Sequence, residues 1–133
     1  PLCSRGDMTG TDSVRVLSRK GTPYVPSPLL HNGRLFFTGA NRDILSIPDA
    51  TTGQPITSPR RLTGVRNIYA SPVAANGYVY FVGREGTCVV LKNDETFEVA
   101  SVNQINDRID ASPVVVGNRL LLRSWTKLYC VQE

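Results

Sequence analysis

Candidate chemistry in this sequence is sparse: one histidine, three cysteines and one close pair of aspartates. His31 sits beside Asn32-Gly33 with no second histidine or paired cysteine near it, so it cannot build a zinc site and reads as an exposed turn residue. Cys3, Cys88 and Cys130 are odd in number and widely spaced, and fit neither a disulfide framework nor a Cys-x-x-Cys metal or redox site. Cys88 and Cys130 read instead as small apolar side chains buried in strands. Asp107 and Asp110 could divide acid and base work between them, but the intervening Arg108-Ile109 and the strand that follows mark a solvated loop. Neither a Gly-x-Ser-x-Gly elbow nor a Gly-rich Lys-Ser/Thr loop occurs, which leaves serine-type and phosphoryl chemistry without candidates. Arg5-Gly6-Asp7 spells an adhesion-type tripeptide, a pattern short enough to arise by chance. No residue set commits the chain to a reaction.

What would position any site is a repeat. Ala70-Ser71-Pro72-Val73-Ala74-Ala75-Asn76-Gly77-Tyr78-Val79-Tyr80-Phe81-Val82-Gly83 has counterparts at 26–39 and 111–124. Each copy is an apolar run, a two-residue turn and a second apolar run. The turn pairs Asn32-Gly33, Asn76-Gly77 and Gly117-Asn118 supply the positive φ that tight hairpins need. Ser27, Ser71 and Ser112 stand 44 and 41 residues apart, within the range of one propeller blade.

The first repeat predicts strands over 27–31, 34–38 and 44–47, with an irregular fourth over 54–62 held to an edge by Pro55 and Pro59. The second predicts strands at 70–74, 78–82, 87–92 and 96–102, and the third at 111–116, 119–123 and 127–131. Asp12 to Arg19 alternates like an edge strand with no partner before it. The expected fold is all-β, a β-propeller segment of about three four-stranded antiparallel blades, the last short of its outer strand. Residues 1–10 read as a disordered or tag-like N-terminus. Residues 11–133 read as one propeller segment, with blades at about 27–62, 71–105 and 112–133.

Bulk properties narrow the partners. With 41% hydrophobic and 20% charged residues, composition is that of an ordinary globular chain. A net charge of +4 falls far short of the basic footprint of a nucleic-acid binder, so no nucleic-acid partner is expected. Tyr69, Tyr78, Tyr80, Phe36, Phe37 and Phe81 alternate along strands as blade packing demands, and not as a base-stacking platform. The apolar runs are well short of the roughly 20 residues that span a bilayer, and no direct membrane span is expected. The first residues show neither an initiator Met nor a signal pattern, and read as an internal start within a longer chain.

Ser71-Pro72-Val73, Asn76-Gly77, Val79-Tyr80-Phe81-Val82-Gly83 and Asp49-Ala50-Thr51-Thr52-Gly53 together closely resemble the pyrroloquinoline-quinone-like (PQQ-like) propeller repeat, over roughly Ser27 to Glu133. That family divides into quinone-dependent dehydrogenases and non-enzymatic propellers, the latter resembling the periplasmic lipoprotein of the outer-membrane barrel-assembly machine. The dehydrogenases carry a Trp a few residues after the Thr-Gly. Here Thr52-Gly53 is followed by Gln54-Pro55-Ile56-Thr57, the second repeat has Asn93-Asp94-Glu95 in place of that turn, and Trp125 lies elsewhere. The adjacent cysteines that those enzymes stack on the cofactor are also missing. The resemblance therefore implies a non-catalytic interaction scaffold with no cofactor in this chain, located outside the cytoplasm, in the periplasm or at the outer membrane. The alternative is the C-terminal part of a quinone-dependent dehydrogenase whose active site lies in other sequence.

In up-and-down blades the linkers between blades, and the loops between second and third strands, emerge on one rim. That rim carries Lys20, Arg42, Arg66, Arg84, Arg108, Arg123 and Lys127 against Asp43, Glu85, Asp107 and Asp110. The opposite rim balances Arg34, Lys92 and Arg119 with Asp49, Asp94 and Glu95. Arg42, Arg66, Arg84, Arg108 and Lys127, with Trp125 nearby, are the candidate residues for docking a protein partner with an acidic surface. Repeated loops repeating their solubilising charges would leave the same pattern. An isolated arc of blades also exposes apolar faces at both ends, which predicts self-association through the open blade edges.

Overall fold

Two Asn-Gly pairs and one Gly-Asn pair turn the chain back on itself where the sequence places them. A computed structural model describes residues 21–39 and 43–132 of the chain. The first sheet runs β1 (Leu29–His31), β2 (Arg34–Thr38), β3 (Ile44–Ser46) and β4 (Arg60–Arg61), in that spatial order. The second repeats it with β5 (Val73–Ala75), β6 (Tyr78–Val82), β7 (Thr87–Lys92) and β8 (Val99–Gln104). The third has β9 (Val114–Val116), β10 (Arg119–Arg123) and β11 (Leu128–Gln132). All pairings join strands adjacent in sequence and are antiparallel. The described residues thus form an all-β partial propeller, without helix and without a membrane-crossing helical segment. The expected strand at 12–19 and the expected disordered stretch at 1–10 lie outside the described residues.

The hairpin turns follow their residue types. Asn32 and Gly33 have φ of 48° and 71°, and Asn76 and Gly77 have 50° and 79°, the double positive φ of type I′ turns. In the third hairpin Gly117 alone is positive, at 58°, as type II′ requires.

The inner strands begin after the Ser-Pro prolines and lie side by side, β1 next to β5 and β5 next to β9. At this edge the serines join the blades. The Ser27 N–H donates to Ser71 Oγ at 2.9 Å, and the Ser71 N–H donates to Ser112 Oγ at 2.8 Å. A proline after each serine leaves no competing donor at the next position.

Side-chain alternation on β6 fills the two wedges between sheets. Val79 and Phe81 enter the first wedge with Phe36, Leu45, Ile47 and Phe97. Val82 and Tyr80 enter the second with Cys88, Val90, Ile109 and Leu122. The middle blade is covered on both faces, and β7 is accordingly buried from Cys88 through Leu91.

The outer strands differ from expectation. Only Arg60–Arg61 pairs as β4, because Pro55 and Pro59 interrupt the ladder, and Pro55 forms an isolated bridge with Pro48. β8 begins at Val99 and not at Thr96, because the Asp94 carboxylate captures the preceding residues in a turn. Its Oδ1 accepts from the Thr96 N–H at 2.8 Å, the Thr96 hydroxyl at 2.6 Å and the Phe97 N–H at 3.1 Å. Phe97 has a φ of 49°, a region costly for a bulky residue, while the corresponding turn of the first blade uses Gly53 at 74°. Burial stabilises it there: Phe97 is fully buried, edge-on to Phe36 with ring centroids 6.1 Å apart.

Cys88 is buried as expected, and burial pushes its thiol up to about 11. Cys130 is exposed, contrary to expectation. It projects with Leu128 from the face of the third blade turned away from the second, where no described residue covers it.

Two outcomes follow from this packing. Phe97→Ala should cost about 3–5 kcal/mol in urea unfolding, and a loss under about 1 kcal/mol would contradict the packing role. Iodoacetamide at pH 8 should modify Cys130 and spare Cys88 in peptide mapping of the native protein, since thiolate is the reactive form; rapid labelling of Cys88 would contradict its burial.

Candidate interaction rim

The linker before each blade and the loop between its second and third strands meet on one rim, as alternating strand direction requires. The Arg84 N–H donates to the Asn67 carbonyl at 3.2 Å, and the Trp125 N–H donates to the Arg108 carbonyl at 2.9 Å. These two bonds are equivalent in successive blades, so Trp125 occupies in the third blade the position that Arg84 holds in the second. The Ile109 N–H donates back to the Arg84 carbonyl at 3.1 Å, tying the linker of the third blade to the loop of the second.

Three of the sequence-predicted residues, Arg84, Arg108 and Trp125, are brought together here around Asp110. Arg84 Nε lies 2.6 Å from Asp110 Oδ1, with its guanidinium stacked 3.9 Å above the Tyr69 ring. Arg108 Nε lies 3.3 Å from Asp110 Oδ2, with its guanidinium 4.2 Å over the Trp125 ring. The Trp125 indole N–H donates to the same Oδ2 at 2.9 Å. Stacking and hydrogen bonding still leave Trp125 62% exposed.

Asp107 holds the neighbouring loop. Its Oδ2 accepts from the Ser124 hydroxyl at 2.6 Å and from the Thr126 hydroxyl, and its Oδ1 accepts from the Arg108 N–H at 2.8 Å. The Ser124 and Thr126 bonds hold the Asp107 carboxyl below the ordinary carboxylate value against modest desolvation. For Asp110 desolvation is the largest single influence and acts upward. The bonds from Trp125 and Arg84, with the Arg84 charge, outweigh it and leave the group lowered. Two carboxylates both held in the charged form are suited to fixing cations and hydroxyls. They are not a proton-donor and proton-acceptor pair, which needs pKa values pushed apart.

The remaining candidates stand apart from this cluster. Arg66 and Lys127 are exposed, and neither makes a close ion pair with a described carboxylate, although the Lys127 charge acts on Asp107 at longer range. The Lys127 ammonium lies 6.0 Å over the Tyr129 ring, while its main chain bonds to Ser124. Arg42 and Lys20 lie outside the described residues. His31 closes β1 opposite Arg34 in the first hairpin, at the other end of the sheets. Asp110 and Tyr69, which organise the rim, are not among the docking residues expected from sequence, where Asp110 reads as a solvated-loop carboxylate of this rim and Tyr69 as blade packing. The only local signal was a carboxylate three residues after an acidic neighbour with Arg108 between them.

No family model and no curated protein sequence matches the chain. Among solved structures it is similar to BamB from Moraxella catarrhalis, with a TM-score of 0.60 at 19% identity over 79% of this chain and 32% of that one. It is also similar to the computationally designed Ika4 protein, with a TM-score of 0.63 at 14% identity over 79% of this chain and 63% of that one. The quinohemoprotein alcohol dehydrogenase ADHIIG from Pseudomonas putida HK5 gives a TM-score of 0.59 at 14% identity, over 79% of this chain and 17% of that one. The chain therefore spans about a third of BamB. At these identities the likeness is one of fold, and it agrees with a partial β-propeller.

The rim chemistry has a pH signature. A carboxyl lowered in the folded state contributes stability that is present above its unfolded value, 3.8, and is lost as pH falls through the folded one. Stability should thus decline as pH drops below 3.8, with a parallel change in the emission of Trp125. Asp110→Asn should remove the Trp125 step while leaving the Asp107 contribution in place. An unaltered Trp125 acid titration in that variant would contradict the assignment.

Proposed function

We propose that this chain is a non-catalytic interaction segment of an extracytoplasmic β-propeller, and that the linker rim docks a protein partner with an acidic surface. One observation carries the reading: the rim's two central carboxylates are occupied by internal bonds, while Arg66 on the linker of the second blade and Lys127, two residues after a largely exposed Trp125, stay exposed. A partner carboxylate meets cations there without first breaking a close internal ion pair. The indole offers apolar area at low entropic cost, as interface tryptophans do. Arg84 and Arg108 serve in this reading as the frame that fixes Trp125. The extracytoplasmic location rests on the repeat resemblance.

A second reading, part of a quinone-dependent dehydrogenase, is favoured by the likeness in fold to ADHIIG. Cys88 and Cys130 sit on different sheets, and no group of three His, Cys, Asp or Glu is gathered among the described residues. On that reading the cofactor site lies in other sequence.

Trp125 is the only tryptophan, so its fluorescence reports the rim directly. Poly-L-glutamate added at low salt should produce a saturable change in its emission that fades as ionic strength passes about 0.15 M, where screening acts within about 8 Å. The double substitution Arg66→Glu and Lys127→Glu should abolish the change. An emission indifferent to poly-L-glutamate at low salt would overturn the acidic-partner reading, and saturable binding of pyrroloquinoline quinone with calcium would favour the second.

A further inference from the structure

The outer edges of the first two blades are built differently. In the first, β4 pairs over Arg60–Arg61 alone, Pro55 and Pro59 precede it, and both arginines are exposed. Proline, charge and brevity are devices that keep an unpaired strand from finding another. In the second, β8 is exposed along all six residues, and from Val99 to Asn106 the chain carries neither charge nor proline. Among the described residues β8 pairs with β7 alone, so its other edge is open. That edge points outward from the ring, and blades on either side of the arc extend the ring without covering it.

Register shows which main-chain groups this edge presents. The Ile105 N–H donates to the Gly86 carbonyl at 2.9 Å, and the pairs Cys88–Asn103 and Val90–Ser101 follow at two-residue steps. Bonded pairs alternate in an antiparallel ladder, so Ser101 and Asn103 turn their main-chain groups to β7, while Val102 and Gln104 turn theirs outward. The register shift opposite Val90 and Leu91 falls at the start of β8 and leaves 101–104 regular. Val102 is 51% exposed and packs over Gly64 on the first-blade face, opposite the buried Val89.

We propose that this edge pairs antiparallel with the same edge of a second copy of this chain, joining two four-stranded middle blades into one continuous sheet. The strand is its own complement. With a two-fold axis at Asn103, Val102 of each copy faces Gln104 of the other, and each such pair exchanges both main-chain bonds within the regular stretch. No charge meets a charge there, whereas the same pairing at β4 sets arginine against arginine. The perimeter of a propeller is convex, so the blades flanking the junction fall away from one another. One strand pair buries far less than the roughly 1,200–2,000 Å² of a stable interface, which makes the association dependent on concentration. The inference does not rest on the rim reading.

Amide hydrogen exchange of the intact chain, run from micromolar to millimolar protein, reads this edge directly. The Val102 and Gln104 N–H groups should exchange more slowly as concentration rises, while the Asn103 N–H, bonded to β7, stays protected throughout. Val102→Pro removes one outward donor and no bond to β7, and should abolish the concentration dependence while thermal stability is kept. Asn103→Lys, at an exposed position, sets like charges directly across the axis and should abolish it with the backbone untouched. Val102 and Gln104 amides that exchange at one rate across the whole range would overturn the proposal. Association that persists at full strength in Asn103→Lys, followed by light scattering, would also overturn it, because the contact would then lie elsewhere on the chain.

Discussion

Two hydrogen bonds between serines fix the angular relation of three sheets. Each is worth only about 0.5–1.5 kcal/mol on its own. Their effect is geometric, because Ser71 accepts from Ser27 at its hydroxyl and donates from its main chain to Ser112, so one residue registers the middle blade against both neighbours. With the inner strands held at that spacing, the sheets splay outward into wedges, and apolar alternation on β6 and β7 has two faces to fill instead of one. Strand β7 of the central blade is then buried like a core strand, while the outward face of the third blade carries exposed Val114, Val116 and Leu128.

The rim inherits its order from this arrangement. Asp110 lies on the linker two residues before Ser112, so the bond that registers the third blade also sets where that carboxylate stands. Arg84 comes to it from the second blade, and Trp125 from the third. A charge that would otherwise attract any nearby cation is thereby committed internally to Arg84 and Arg108, which leaves Arg66 and Lys127 among the described rim cations without a close ion pair. The stacked pairs Arg84–Tyr69 and Arg108–Trp125 contribute modestly, about 0.5–1 kcal/mol each at such exposed sites, and chiefly restrict where the indole can point.

What could be read in the sequence was whatever is local or repeated. The Asn-Gly turns, the order of strands within each blade and the Asp49 turn all rest on contacts a few residues apart. The Asp49 carboxylate indeed accepts from the Thr51 and Thr52 amides at 2.9 and 2.7 Å. The Ser-Pro spacing revealed a repeat, but not that the serines bond to one another, since that depends on how adjacent sheets are rotated. For the same reason the meeting of Arg84, Arg108 and Trp125 on Asp110 was invisible, and Asp110 passed for a solvated loop residue. The strand expected over 96–102 includes Phe97, whose aromatic side chain suits one. The carboxylate of Asp94, three residues earlier, overrode that preference, as Asx turns do when the side chain satisfies the main chain better than the ladder does. Cys130 looked apolar enough for a core, and the sequence held no sign of which face of the last sheet would lie open.

Native-state hydrogen exchange at the serine amides tests this account most directly. The Ser71 N–H should be protected in the intact chain and should lose that protection in Ser112→Ala, while the Ser27 N–H, which depends on Ser71, should be unchanged by that substitution. A Ser71 amide that exchanges as freely as an open loop in the unsubstituted protein would contradict the claim that the serines register the blades, and with it the placement of the rim.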